Sequence, residues 1–547
     1  MNKSYGISLE KDFSVIYRSM KRLLPASIIL IFFLCLFTRA DKSIYATTEG
    51  VYAQMKRIIE VLNVINQYYV EDVDIDRLVS GAINGMLEEL DPHSVYIEPN
   101  RLEKVTETFD GYFFGIGIEF IIQNKILTVV APIAGTPAER MGIRSGDNII
   151  KIGDEYTYGI SEDEVKQKLR GPLNTSVRVT VKRQGSNQPF EITILRGRIP
   201  IYSVMTTLML DRQTGYILLA RFSKTTSDEI DDALSKLKSR GMRRLILDIR
   251  NNSGGYLDQA VAVVDKFFDG GKNVVSTKGR VDEVNEEFIT TYKRNYLKMP
   301  LIILINNGSA SAAEIVAGAI QDWDRGLIVG EKSFGKGLVQ SQIELKDQSA
   351  IRLTIARYFT PSGRLIQRNY DKGLADYYLN LDESTQSAVP ESTSNANNEL
   401  YWTHGGRKVY GGGGIQPDVT IKGKSITPFT SKLLSKRMFF EFGSRYASKH
   451  RDLARNFYKF KRRFLVDKAV LDEFRSFISA ADITIEEEAL LKDYDSVCTL
   501  LKSEIARNLW DSQKYYEIYI NNDQQVQQAL KLFPEAAQLA GLRHNER

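Results

Sequence analysis

The sequence predicts a multidomain protein with an α/β core, a smaller α+β module ahead of it and helical segments at both ends. Three observations predict this. Between Ile201 and about Val419, short apolar runs alternate with stretches of helical periodicity, the pattern of strands joined by crossover helices. From Gly111 to Gly197, β-like runs are separated by Gly and Pro breakers. On either side, apolar residues recur at three- and four-residue spacing. The expected divisions are 1–42, a signal anchor or signal peptide; 43–105, an N-terminal helical region; 106–197, the α+β module; 198–424, the α/β core with a flexible insert at 371–399; and 425–547, a C-terminal helical region.

Each element has its own justification. Lys11, Arg18, Lys21 and Arg22 precede an apolar run from Leu23 to Phe37. That run is about 15 residues, short of the roughly 20 that span a bilayer comfortably, so it fits a signal-peptide core or a short anchor. The absence of a clean small-x-small cleavage site directly after it favours the uncleaved anchor. Basic residues upstream of the run would stay in the cytoplasm. The expected location is therefore the cell inner membrane, with the folded part in the periplasm or otherwise outside the cytoplasm.

Met55, Ile58, Ile59, Leu62 and Ile65, then Ile83, Met86, Leu87 and Leu90, predict helix from Tyr52 to the stop at Asp91-Pro92. In the α+β module Ile126–Val130, Asn148–Ile152, Val177–Lys182 and Phe190–Leu195 read as strands and Glu162–Leu169 as a helix. In the core, Ile217–Ala220, Arg244–Asp248 and Leu301–Ile305 read as strands. Ser227–Ser239, Asp258–Phe268 and Ala312–Gln321 read as helices. Beyond Thr427 the aromatic faces of Phe439, Phe442, Tyr446, Phe457, Phe460 and Phe464 read as core.

Composition excludes several classes. A net charge of +5 with both signs interspersed makes no case for nucleic-acid binding. Two cysteines, Cys35 and Cys498, exclude a disulfide scaffold and a cysteine zinc site. Of the 4 histidines no pair sits at i, i+4, so there is no zincin helix. No cofactor or metal is expected.

The chemistry gathers on three glycine-rich turns. After the strand Leu301–Ile305 comes Asn306-Asn307-Gly308-Ser309-Ala310-Ser311-Ala312-Ala313, then a helix. Small residues crowding one strand-to-helix turn are what a nucleophile elbow needs, although either Ser309 or Ser311 would serve equally as a plain N-cap. A nucleophilic serine needs a base, and the α/β core has no histidine before His404. A histidine triad would have to recruit His93 or His404 from distant segments. Lys336, between Gly335 and Gly337, is the alternative, since burial brings a lysine toward neutrality. The third turn, Arg250-Asn251-Asn252-Ser253-Gly254-Gly255, follows a core strand. Backbone N–H groups of Gly254 and Gly255 there, with that of Ala312, would make an oxyanion hole. Gly330–Lys336 also matches G-x-x-x-x-G-K. The next residue is Gly337 rather than Ser or Thr, and a strand-like run follows instead of a helix, which argues against a phosphate loop.

Together these segments resemble the carboxyl-terminal processing proteases, the S41 family of serine peptidases, from about Tyr52 to Ile421. The motifs are Leu90-Asp91-Pro92-His93-Ser94, Asp248–Gly255, Gly308–Glu314, Gly330–Gln340 and Thr360-Pro361-Ser362-Gly363-Arg364. The resemblance implies that Ser311 is the nucleophile, Lys336 the general base and Gln340 the residue that orients it. The third serine usual in the elbow is Ala313 here. The family places a PDZ domain before the protease core, and Gly111–Gly197 looks like one. Gly115-Ile116-Gly117-Ile118 resembles the loop that binds a terminal carboxylate, and Arg144 is a candidate substrate contact. Consecutive exposed N–H groups form a nest for an anion, and a peptide then adds as a strand.

The implied function is a serine endopeptidase with a Ser–Lys dyad. It would bind proteins or peptides through apolar C-terminal tails and cleave near them. The alternative is a non-catalytic PDZ scaffold on a degenerate protease core. Expected partners are those substrates, the membrane through the N-terminal segment, and a homo-oligomer or adaptor through the C-terminal helical region.

Overall fold

The computed structural model describes residues 50–542 apart from 124, 184–185, 187, 292–295, 372, 374–376 and 379–398. The anchor expected at Leu23–Phe37 and most of the insert at 371–399 lie outside the described residues. Among the described residues no helix is long and apolar enough to cross a membrane. The described residues form two compact units that divide between Glu89 and Leu90.

In the first unit the helical stretch expected from Tyr52 to Leu90 is two helices, 50–68 and Ile75–Glu88. The second starts afresh because Asp74 is an N-cap whose carboxylate accepts from Arg77 N at 3.0 Å.

The second unit begins with a strand, Val95–Ile97, which pairs antiparallel with Ala350–Phe359. This corrects the assignment of 43–105 as helical: a three-residue strand carries too little alternation to be read locally. The helix Pro99–Asp110 then runs across the expected boundary at 105.

The α+β module is an antiparallel sheet in the order Ile118–Gln123, Ile126–Pro132, Asn148–Ile152, Ser176–Lys182, Phe190–Leu195, with Glu155–Tyr156 beside Asn148–Ile152. The helix Glu162–Leu169 is closed by a capping box between Ser161 and Glu164. It buries Val165 and Leu169 against Leu127, Val129, Ile149 and Val179. Ile118–Gln123 is an edge strand. Tyr112–Gly115 pairs with Gly197–Pro200, which brings the two ends of the module together.

The core sheet has six strands in the order Val204–Met209, Thr214–Leu219, Arg244–Asp248, Leu301–Ile305, Leu327–Gly330, Val419–Thr420. The first pair is antiparallel and the rest are parallel. Leu301–Ile305 is buried at every residue, as a strand covered on both faces must be. The helices Thr226–Ser239, Leu257–Asp265 and Ala312–Asp322 cover one face. The other face packs Tyr216, Ile246, Ile302, Leu304 and Val329 against Ile520, Val526, Ala529, Phe533 and Ala536 from the end of the chain. The rest of the C-terminal helical region has a core of its own built on Phe429, Phe439, Phe442, Phe457, Phe460 and Phe474.

Candidate active site

The elbow is built by hydrogen bonds that fix one turn against another. Ser309 is fully buried. Its Oγ donates to Ile249 O at 2.8 Å and accepts from Asn306 N at 3.0 Å. Asn306 Oδ1 accepts from Asn251 N at 2.8 Å, and Ala310 N donates to Asn252 O at 2.9 Å. Ser309 is thereby committed to structure. Ser311, two residues on, has φ 56° and ψ −116°. That conformation costs an ordinary residue on the order of 1–3 kcal/mol and persists only where the surroundings impose it. The helix Ala312–Asp322 starts at the next residue.

The imposing group is Glu314, a fully buried carboxylate that sequence reasoning missed. Its Oε2 accepts from Ser311 N and from Lys336 N, both at 2.9 Å, so the two backbones meet on one oxygen. Its Oε1 accepts from Ser333 Oγ at 2.6 Å and Gly335 N at 2.7 Å. Burial pushes the carboxyl up, and these hydrogen bonds pull against it. The legible signal was one acid in the otherwise apolar stretch Ala312–Ile320. Tyr358, also missed and also buried, donates to Lys336 O at 2.6 Å and lies 3.2 Å from Ser311 O.

Lys336 Nζ donates to Gln340 Oε1 at 2.7 Å, and Gln340 Nε2 donates to His93 O at 2.6 Å. Burial, followed by the charge of Arg352, lowers the Lys336 amine to about 8. Ser311 Oγ has no hydrogen-bond partner among the described residues, Lys336 Nζ included. Ala312 N–H has no acceptor among the described residues. The turn carrying Gly254 lies directly against it: a Cβ on Gly254 would sit 2.8 Å from Ser311 Cβ and 3.0 Å from Ala312 N. Gly254 does not offer the free donor expected of it, because its N–H donates to Asn252 Oδ1 at 2.9 Å. Gly255 N–H has no acceptor among the described residues. Of the three donors expected for the hole, those of Ala312 and Gly255 are thus the ones left without an acceptor among the described residues.

The histidines fall where a triad cannot use them. His93 does reach the site, but through its carbonyl. Its ring Nε2 pairs with Tyr377 OH at 2.8 Å. Burial, with the charge of Lys336 second, lowers the imidazole to about 4. Asp91 locks this segment by accepting from His93 N at 2.8 Å and Ser94 N at 2.9 Å. His404 packs on Trp323, at the far end of the helix that Ser311 begins. The Gly330–Lys336 loop runs into the strand Leu338–Glu344, and its Gly335 and Lys336 amides are spent on Glu314. No phosphate cradle is left.

In the α+β module, Gly117 has φ 84°, and a Cβ there would lie 2.4 Å from Thr136. The carbonyls of Ile116 and Gly117 are taken by Ala138 N at 2.8 Å and Ile133 N at 2.9 Å. The N–H groups of Ile116 and Gly117 have no acceptors among the described residues. Gly115 and Ile116 are buried, and Ile118 opens the edge strand. Arg144 is exposed, and its side chain makes no ion pair among the described residues; its backbone is tied to Asp147, the N–H donating to Oδ2 at 2.9 Å and the carbonyl accepting from N at 3.2 Å.

Comparison with known proteins bears on several of these segments, although no matched family model reaches Gly115–Ile118. A family model described as peptidase family S41 matches residues 213–376. A PDZ domain model matches 128–183, and one described as the activating protease CtpB N-terminal domain matches 38–100. A family of unknown function, DUF8443, matches 429–511. The chain is 40% identical over 323 residues to the carboxy-terminal-processing protease of Bartonella bacilliformis, covering 58% of this chain and 74% of that one. It is 33% identical over 366 residues to the carboxy-terminal processing protease CtpA of Bacillus subtilis, covering 65% of this chain and 78% of that one. Among solved structures, the photosystem II D1 C-terminal processing protease is similar at 29% identity with a TM-score of 0.32, covering 56% of this chain and 89% of that one.

Proposed function

Because the chain belongs to peptidase family S41, the carboxy-terminal processing proteases, we propose that it cleaves protein chains with a Ser311–Lys336 dyad after its PDZ domain has captured their apolar C-terminal tails. The neutral amine of Lys336 takes the proton of Ser311 Oγ as that oxygen attacks the scissile carbonyl. Gln340 accepts one amine hydrogen and so holds the nitrogen lone pair toward the hydroxyl. The carbonyl oxygen becomes an oxyanion at the free N–H groups of Ala312 and Gly255. The lysine ammonium then gives its proton to the leaving amine. A water molecule, deprotonated by the same lysine, releases the acyl group from Ser311. Before this, the free carboxylate of the tail sits in the Ile116–Gly117 nest and the tail extends the sheet beside Ile118–Gln123. Arg144, exposed on the loop before Asp147, is open to contact substrate.

The observation that carries this reading is the half-buried Lys336, drawn down to about 8 and sharing the Glu314 carboxylate with Ser311. The basic residues ahead of Leu23–Phe37 support an inner-membrane anchor with the protease outside the cytoplasm.

The test is cleavage of a quenched-fluorescence peptide with a free apolar carboxyl terminus, without ATP and with a chelator present. Wild type is expected to cleave. Ser311→Ala, Lys336→Ala and Lys336→Arg are expected to lose at least about 10³-fold in kcat/KM, the scale of losing a dyad member. Arginine keeps the charge but cannot release its proton. Robust cleavage by Lys336→Arg overturns the dyad, and tail binding by wild type with no cleavage leaves the scaffold reading instead.

A further inference from the structure

Arg250 opens the turn that ends in Gly255, and its side chain is 12% exposed. Two groups hold it. One is local: Arg250 Nε lies 3.0 Å from both oxygens of Asp248. Asp248 is itself buried and receives Tyr216 OH at 2.6 Å. The other comes from the far end of the chain. Arg250 Nη2 donates to Asp523 Oδ2 at 2.9 Å, and Nη1 donates to Gln525 Oε1 at 2.5 Å, with Asp523 Oδ1 at 3.3 Å. Gln525 is braced in turn, its Nε2 donating to Ile421 O at 2.6 Å.

From Arg250 a continuous series of contacts leads to the reacting centre. Asn251, with φ 56°, donates its N–H to Asn306 of the elbow at 2.8 Å. Asn252 Nδ2 donates to Leu219 O at 2.8 Å, and Asn252 Oδ1 takes the N–H of Gly254. Gly254 lies against Ser311 and Ala312. Beside Asp523 and Gln525 a cavity of about 570 Å³ adjoins Arg250, Asn251 and Asn306. Without Asp523 and Gln525 the guanidinium keeps only Asp248 and borders open space, so the turn is held less firmly.

We propose that Asp523 and Gln525 are positioning residues for peptide hydrolysis, holding through Arg250 the turn that presents Gly255 N–H to the oxyanion beside Ala312. The proposal rests on the oxyanion assignment made under Proposed function. It gives the C-terminal helices a part in the reaction, in addition to covering the sheet.

The variants must separate positioning from folding. Asp523 also N-caps the helix Gln524–Ala529, accepting from Val526 N at 3.1 Å. Serine is a good N-cap, but it cannot span two guanidinium nitrogens. Asp523→Ser is therefore expected to keep its melting temperature near wild type while kcat falls about tenfold and KM stays within twofold, because an interaction made only in the transition state is weakened. Asp523→Asn, which keeps an acceptor toward Arg250, is expected to fall less. Gln525→Ala is expected to behave like Asp523→Ser. The control is Gln513→Ala. Gln513 also ties the C-terminal helices to the core, accepting from Thr206 Oγ1 at 2.8 Å, but it does not touch the turn. Its kcat is expected to be unchanged. The rate of Ser311 labelling by a fluorophosphonate should fall in step with kcat, since its phosphoryl oxygen occupies the same hole. Wild-type kcat in Asp523→Ser and Gln525→Ala, or losses no larger than in Gln513→Ala, would overturn the proposal. An active Ser311→Ala in the same assay would instead overturn the site assignment beneath it.

Discussion

Lys336 has a carboxylate-anchored backbone and a half-buried amine, and the amine sets the pH behaviour. Its ordinary value is 10.5, and burial brings it to about 8. The folded state therefore disfavours the charged amine. That cost is present below about pH 8 and is relieved as pH rises through it. Catalysis needs the neutral form, so kcat/KM is expected to climb with pH to a midpoint near 8, with about a tenth of the maximum at pH 7. His93, lowered to about 4, adds no limb above pH 6. A profile from pH 6 to 10 with its midpoint near 6.5 would speak for a histidine base. Lys336 was legible because no histidine lies in the core before His404 and because two glycines flank this lysine. Glu314 was not. Its role depends on four donors, three of them from Ser333, Gly335 and Lys336, which sequence spacing alone does not bring to a helix N-terminus. Gly254 was misjudged for a related reason: which N–H groups of a glycine turn stay free depends on a neighbouring side chain, here Asn252.

Among the elements, the edge strand Ile118–Gln123 and the turn before it form the surface that would take a tail. Phe120-Ile121-Ile122 is a continuous apolar run without alternation. Such a run does not announce a strand by periodicity, whereas the strand expected beside it at Ile126–Val130 is observed as Ile126–Pro132. Gly117 is the sensitive position. Its φ of 84° suits glycine, and any Cβ would collide with Thr136 at 2.4 Å. Gly117→Val is expected to raise KM about tenfold or more for peptides with a free carboxyl terminus while kcat changes little, because the lost interaction binds ground state and transition state alike. Amidated peptides should be poor substrates for wild type and no poorer for the variant. Steady-state kinetics on matched acid and amide peptides decides this, and equal KM values for the pair in wild type would remove the nest from the mechanism.

For the molecule as a whole, the run Leu301–Ile305 already implied cover on both faces of the core sheet, and the three crossover helices account for one. The second cover comes from residues such as Phe533, more than 200 residues beyond that strand. Helical periodicity gives no hint of such a long-range partner, because an amphipathic helix reads the same whichever sheet or bundle it faces. The consequence is that the segment matched as S41, 213–376, is not self-sufficient. Deleting 512–547 would expose Tyr216, Ile246, Ile302, Leu304 and Val329 to water together, and a patch of that kind drives aggregation. The deletion is expected to be insoluble. The milder variant Phe533→Ala should fold and lose about 3–5 kcal/mol, the usual range for emptying a buried phenylalanine site. Phe533 is 2% exposed and packs on the strands themselves. Urea unfolding of Phe533→Ala checks the magnitude, and size-exclusion chromatography checks the deletion. A soluble, monomeric deletion unfolding at the wild-type midpoint would mean that the sheet stands without its second cover.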